Sequence, residues 1–157
     1  HGYELLECFH ETHQLGRVWK LGTSQVYNVL KRLERKKFII GREVATENGP
    51  LRVEYSLSAG GYQHLMSWLY EPDPSPSIRR IRVEFLSRLF IAQELNLPIT
   101  KIIDHQREAC LRERERLWAA RTEAQMGMDM LAIDFVIEQL NAVLCWLTRC
   151  EKMSTYG

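Results

Sequence analysis

Ser24, Asn28, Lys31 and Arg35 recur at intervals of four, three and four residues. At about 100° per residue, this spacing lines a hydroxyl, an amide and two cations along one helical face, flanked by Gln25 and Tyr27. These groups suit duplex DNA, because amides pair with base edges in the major groove while cations hold phosphate. Val26, Val29, Leu30 and Leu33 fall on the opposite face, so the helix has one side to bury and one to present. A solvated amphipathic helix has the same pattern, and the surroundings decide between the two.

The overall charge argues against nucleic acid. Over 157 residues, Lys and Arg number 21 and Asp and Glu 20, a net charge of +1. The local distribution points the other way. From Lys20 to Arg42 there are seven basic residues (Lys20, Lys31, Arg32, Arg35, Lys36, Lys37 and Arg42) against the single acid Glu34, a net +6. With 45% hydrophobic and 26% charged residues the chain can build a core, and its length suits one domain or two small ones.

The elements that would position this face are legible on both sides of it. Tyr3 to Thr12 carries Leu5, Leu6 and Phe9 at helical spacing, and Gly16 closes that region. Gly22-Thr23-Ser24 supplies a hinge and a capping hydroxyl for a helix over Gln25 to Lys37. An extended run starts at Phe38-Ile39-Ile40, Asn48-Gly49 marks a turn, and Arg52 to Leu57 alternates as a half-buried strand. Ser58 caps a further helix through Tyr62, Leu65, Met66 and Leu69. Helix, turn, helix and hairpin in this order predict a winged helix-turn-helix. Its wing would be Val44 to Val53, with Lys20 and Arg52 on the DNA backbone. Glu43, Glu47 and Glu54 make this wing less basic than its neighbour helix.

At these residues the sequence resembles the PadR family of bacterial transcriptional regulators. His1-Gly2-Tyr3-Glu4-Leu5 looks like the start of that family's second helix, and Gly22 through Glu34 looks like its recognition helix, with the Lys31-Arg32-Leu33-Glu34 run in register. Gly49-Pro50, then Tyr55-Ser56-Leu57-Ser58 and Gly61, are similar to its wing return. Asn28 stands where the family often has proline, and Glu54 replaces the first wing tyrosine. The resemblance covers most of residues 1–69. It implies a helix before His1, DNA as partner, and dimerisation through a helical C-terminal domain.

Residues 71–77, Glu-Pro-Asp-Pro-Ser-Pro-Ser, read as a linker between a DNA-binding domain over 1–70 and a helical domain over 78–157. Helices are expected at about 78–95, 98–125 and 128–150, with Gly127 as a break. The fold class is thus mostly α with a small β-hairpin. The last helix is apolar on more than one side, which predicts a homodimer through Phe85, Leu89, Leu131, Phe135, Leu140, Val143, Leu144 and Leu147. A monomeric bundle accounts for the same residues. Phe90, Trp118, Met130 and Trp146 are candidates for a pocket taking a small aromatic or lipophilic effector, with core packing as the alternative. Arg112 to Arg116 alternates in sign and reads as a solvated face.

Other chemistry finds little support. His10-Glu11-Thr12-His13 is one residue short of the zincin spacing, leaving only a metal-responsive sensor through His10 and His13 as an alternative. A second alternative is a winged-helix module that docks on protein. There is no phosphate loop, nucleophile elbow or paired-carboxylate site, so neither an enzyme, a bound metal nor a cofactor is expected. Cys8, Cys110, Cys145 and Cys150 form no C-x-x-C pair and suit reduced thiols in a cytoplasm. Asp129, Asp134 and Glu138 interrupt the most apolar stretch, so no membrane partner is expected.

Overall fold

The computed structural model describes residues 2–10, 15–17, 20–46 and 49–154. The chain divides into two compact units, His1–Leu69 and Tyr70–Gly157.

In the first unit, α1 (Gly2–His10) and a 3-10 turn (Leu15–Arg17) precede α2 (Thr23–Arg35). An antiparallel hairpin of β1 (Ile39–Thr46) and β2 (Gly49–Leu57) follows, then α3 (Ala59–Leu69). Leu6 of α1, Val26 and Leu30 of α2 and Ile39 of β1 form the core, with Leu21, Leu33 and Tyr55 packed against it. The start of α2 differs from expectation. Its N-cap is Gly22, and Thr23 and Ser24 lie inside the first turn instead of capping it. The Gln25 side chain reaches back instead: its Oε1 accepts the Gly22 N–H at 3.0 Å, the reverse half of a capping box. The helix stops at Arg35 because Lys37 takes a left-handed backbone, φ 58°. The Phe38 N–H then bonds the Leu33 carbonyl at 3.0 Å and the Lys37 N–H that of Glu34 at 2.8 Å, a Schellman closure.

The closure of α2 and the start of α3 are tied by Ser58. Its hydroxyl donates to the Lys37 carbonyl at 2.7 Å and accepts the Gly61 N–H at 2.9 Å. Gly61 is required by close approach, since a Cβ there would lie 1.8 Å from the Phe38 carbonyl oxygen. Phe38 in turn stacks on His64, ring centroids 4.5 Å apart.

The second unit is helical throughout: α4 (Ile78–Arg80) runs through a π turn (Ile81–Phe85) into α5 (Leu86–Glu94), followed by α6 (Thr100–Glu123) and α7 (Met128–Ser154). Asn96, φ 51°, ends α5 with the same two-bond closure that Lys37 gives α2. Gly127 breaks the chain between α6 and α7. Three arginines spaced by seven residues along α6 reach α7: Arg107 to Glu151, Arg114 to Asn141 at 3.0 Å, and Arg121 to Asp134. The two helices therefore run antiparallel. The Arg107 guanidinium holds the Glu151 carboxyl below its usual range.

The proline-rich stretch 71–77 lies along α6. His105 Nδ1 donates to the Glu71 carbonyl at 3.0 Å, Arg112 bonds Asp73 at 2.6 Å, and the Gln106 amide donates to the Ser75 carbonyl at 3.1 Å. By length and composition alone the segment Met128–Lys152, mean hydropathy 1.6, is apolar enough to cross a membrane, a test that the core helix of a soluble protein also passes. The ladder to α6 argues against that use, since a bilayer would have to accept the charged length of α6 beside it.

Candidate nucleic-acid interface

Packing orients α2. Val26 and Leu30 are each 5% exposed beneath it, which turns Ser24, Asn28, Lys31 and Arg35 outward on the opposite side. All four are exposed, as are Gln25, Tyr27, Lys20 just before the helix, and Arg52 on β2. Two of the expected groove-facing residues also have structural tasks. The Gln25 amide oxygen is occupied by the Gly22 N–H, although the residue is exposed. The Tyr27 ring borders α1, where a Cβ on Gly2 would lie 3.1 Å from Cε1, and the residue remains 42% exposed.

The hairpin register sorts its residues by face. Ile39 pairs with Leu57, Gly41 with Tyr55 and Glu43 with Val53, and paired residues share a side. Ile39 is buried in the core, so this is the inner face. Ile40 opposite Ser56, Arg42 opposite Glu54, and Val44 opposite Arg52 make the outer face. Arg52 and Arg42 thus share the outer face of the hairpin, and both are exposed. In the sequence Arg42 counts only as part of the basic segment; strand alternation from a buried Ile39 is the signal that places it on the outer face of the hairpin. The Tyr55 hydroxyl is pushed above its ordinary range by burial first, then by the Glu34 carboxylate and Tyr27.

Of the expected wing tip, Glu47-Asn48-Gly49-Pro50, residues 47 and 48 lie outside the described residues, as do His13 and the His10 side chain on which a metal site would rest. Among the described residues no cluster of three His, Cys, Asp or Glu is placed to hold a metal ion.

In the second unit the expected dimer residues separate into two sets. Phe85, Leu89, Leu140 and Leu147 are at most 9% exposed and form the unit's own core with Ile81, Ile102 and Ile103, so packing inside the chain accounts for their apolar character. Val143 and Leu144 pack on that core. Leu131 and Phe135 are 60% and 63% exposed.

The expected effector residues are likewise spread. Trp146 packs edge-on against Phe85 with centroids 5.7 Å apart, while Trp118 carries the Arg121 guanidinium 5.5 Å from its ring centroid. The α6–α7 ladder sets Trp118 beside residue 137, nine residues from Trp146 and so about 13 Å away along the helix at 1.5 Å per residue. Phe90 and Met130 are half-buried. Neither of two open clefts in this unit, of about 420 and 810 Å3, is lined by any of the four.

Residues 1–67 match the family described as "Transcriptional regulator PadR-like family". The chain is 30% identical over 89 residues to the "Negative transcriptional regulator PadR" of Bacillus subtilis (strain 168), a match covering 57% of this chain and 47% of that protein. The chain thus matches about half the length of this curated relative. Among solved structures it is similar to Bacillus subtilis PadR in complex with operator DNA, at 22% identity and a TM-score of 0.44 over 97% of this chain and 88% of that one. The same protein in complex with p-coumaric acid matches at 22% identity and a TM-score of 0.39, over 97% and 85%.

Proposed function

We propose that the chain, whose residues 1–67 match the transcriptional regulator PadR-like family, is a cytoplasmic DNA-binding repressor. In this reading it binds a palindromic operator as a homodimer and answers to a small aromatic or lipophilic effector. The observation that carries this reading is the exposed row Ser24, Asn28, Lys31 and Arg35 on a helix whose other side is buried, within a segment of net charge +6. Ser24, the Gln25 NH2, Tyr27 and Asn28 read base edges. Lys20, Lys31, Arg35 and Arg52 hold phosphate. The relative's description as a negative regulator supports the sign.

Titrating duplex DNA at two salt concentrations tests the reading, because phosphate contacts give a steep salt dependence and their absence gives none. Asn28→Ala is expected to lose about 1–3 kcal/mol of discrimination between base pairs at one position, while Lys20→Ala weakens binding to all sequences alike. Equal losses for both variants on every sequence would contradict base reading by Asn28. The exposed Ile40, Leu57 and Tyr62, at 50–57%, favour a second reading in which the winged helix docks on protein. A flat salt dependence would select it.

A further inference from the structure

Glu34 is the one acid between Lys20 and Arg42, and a carboxylate on a helix that meets phosphate opposes the approach by charge. Its position accounts for it. The carboxylate points at the hairpin: a Cβ on Gly41 would lie 2.6 Å from Glu34 Oε1, 3.1 Å from Val53 Cγ1 and 3.2 Å from Tyr55 Cε1. The space that Gly41 leaves open is therefore bordered by α2 on one side and by two β2 side chains on the other. Gly41, Val53 and Tyr55 all belong to the inner face of the hairpin.

The outer face of the same two strands carries Arg42 and Arg52, both exposed. Arg42 pairs with Glu54 and Arg52 with Val44, which makes the two arginines diagonal neighbours, about 7–8 Å apart at the backbone. Guanidinium groups at that separation reach one phosphate or two adjacent ones. Because the faces share a backbone, whatever fixes the inner face against α2 also fixes the points from which the two arginine side chains leave the strands relative to α2.

We propose that Glu34 is a positioning residue, which by seating its carboxylate over Gly41 fixes the hairpin on α2, and that what it positions is a paired phosphate contact of Arg42 with Arg52. The inference rests on the DNA-binding reading and adds to it a contact residue, Arg42, and a use for the lone acid.

The test is equilibrium binding of a labelled mixed-sequence duplex between about 50 and 200 mM salt, with Arg42→Ala and Arg52→Ala each made in the natural chain and in Glu34→Ala. In the natural chain each arginine variant lowers the salt slope by about 1. In the Glu34→Ala background both do little, because the contact is already loosened. Glu34→Ala alone weakens binding even though it removes a negative charge. Gly41→Ala, which expels the carboxylate from the same space, weakens binding in the same way and does no further harm when combined with Glu34→Ala. If Gly41→Ala does not fold, the Glu34 cycle decides alone. Tighter binding by Glu34→Ala, or arginine losses that simply add to it, would overturn the proposal. Salt-dependent binding that ignores Arg42 and Arg52 overturns it and leaves the DNA reading standing; absence of any salt-dependent binding removes both.

Discussion

Lys37 and Gly61 meet at one joint, and opposite substitutions there have opposite effects. A left-handed backbone at a residue with a Cβ costs about 1–2 kcal/mol, and glycine recovers part of that at an entropic cost in the unfolded chain. Lys37→Gly is therefore expected to raise the unfolding free energy by about 0.5–1 kcal/mol, while weakening DNA binding only through the lost charge. Gly61→Ala drives a methyl group into the Phe38 carbonyl, a backbone atom that has no rotamer to escape to. A loss of about 2–4 kcal/mol is expected, and thermal unfolding of both variants checks the pair; a neutral Gly61→Ala would mean that α3 can slide away from the joint. Gly61 stands out in the sequence only through its family pattern, and nothing local in the sequence marks Lys37 as left-handed. The same limit applies to Gln25. Periodicity places its amide at the edge of the exposed face, but the bond to Gly22 depends on where α2 starts, and the sequence pattern sets that start two residues too late.

At the scale of elements, the patterns that repeat are legible and those depending on a partner element are not. The hairpin and α2 follow from alternation and period alone. The seven-residue spacing of Arg107, Arg114 and Arg121 is equally visible in the sequence, yet only the antiparallel α7 gives it meaning, by bringing Asn141 and Asp134 opposite. Three prolines among residues 71–77 disfavour a helix there, and the stretch is not helical; they say nothing of what it lies against. What holds it is a helix some thirty residues later in the chain. Gln106 is 1% exposed, and its amide satisfies the Ser75 carbonyl at 3.1 Å. Gln106→Leu keeps the volume and removes the donor, so the expected loss is about 1–3 kcal/mol. Limited proteolysis should then cut within residues 71–77 faster than in the natural chain. Unchanged cleavage would mean that His105 and Arg112 suffice to hold the stretch.

For the whole molecule, the proposed homodimer has to use surface that the protomer leaves uncovered, and α7 divides cleanly on that criterion. Its inner side, Ile137, Leu140 and Leu147, is at most 1% exposed. On the outer side Leu131, Phe135, Glu138, Ala142, Cys145 and Arg149 are all exposed and follow one another at intervals of four and three, the spacing of a helix–helix seam. The sequence alone could not assign the apolar residues to one side or the other, because they occur on both, and the choice between the sides is made by α6 and by the helix through the π turn. The division makes contrasting predictions. Phe135→Glu places a charge on the outer seam and is expected to leave the fold intact, halve the mass measured by light scattering, and weaken binding to a two-half-site operator on the order of 10²-fold, the usual advantage of two linked contacts. Leu140→Ala opens a cavity in the protomer core and is expected to cost about 2–5 kcal/mol of stability, with dimerisation lost only as the chain unfolds. If Phe135→Glu remains a dimer with full operator affinity, the seam lies elsewhere on the molecule, and the exposed face of α7 needs a different occupant.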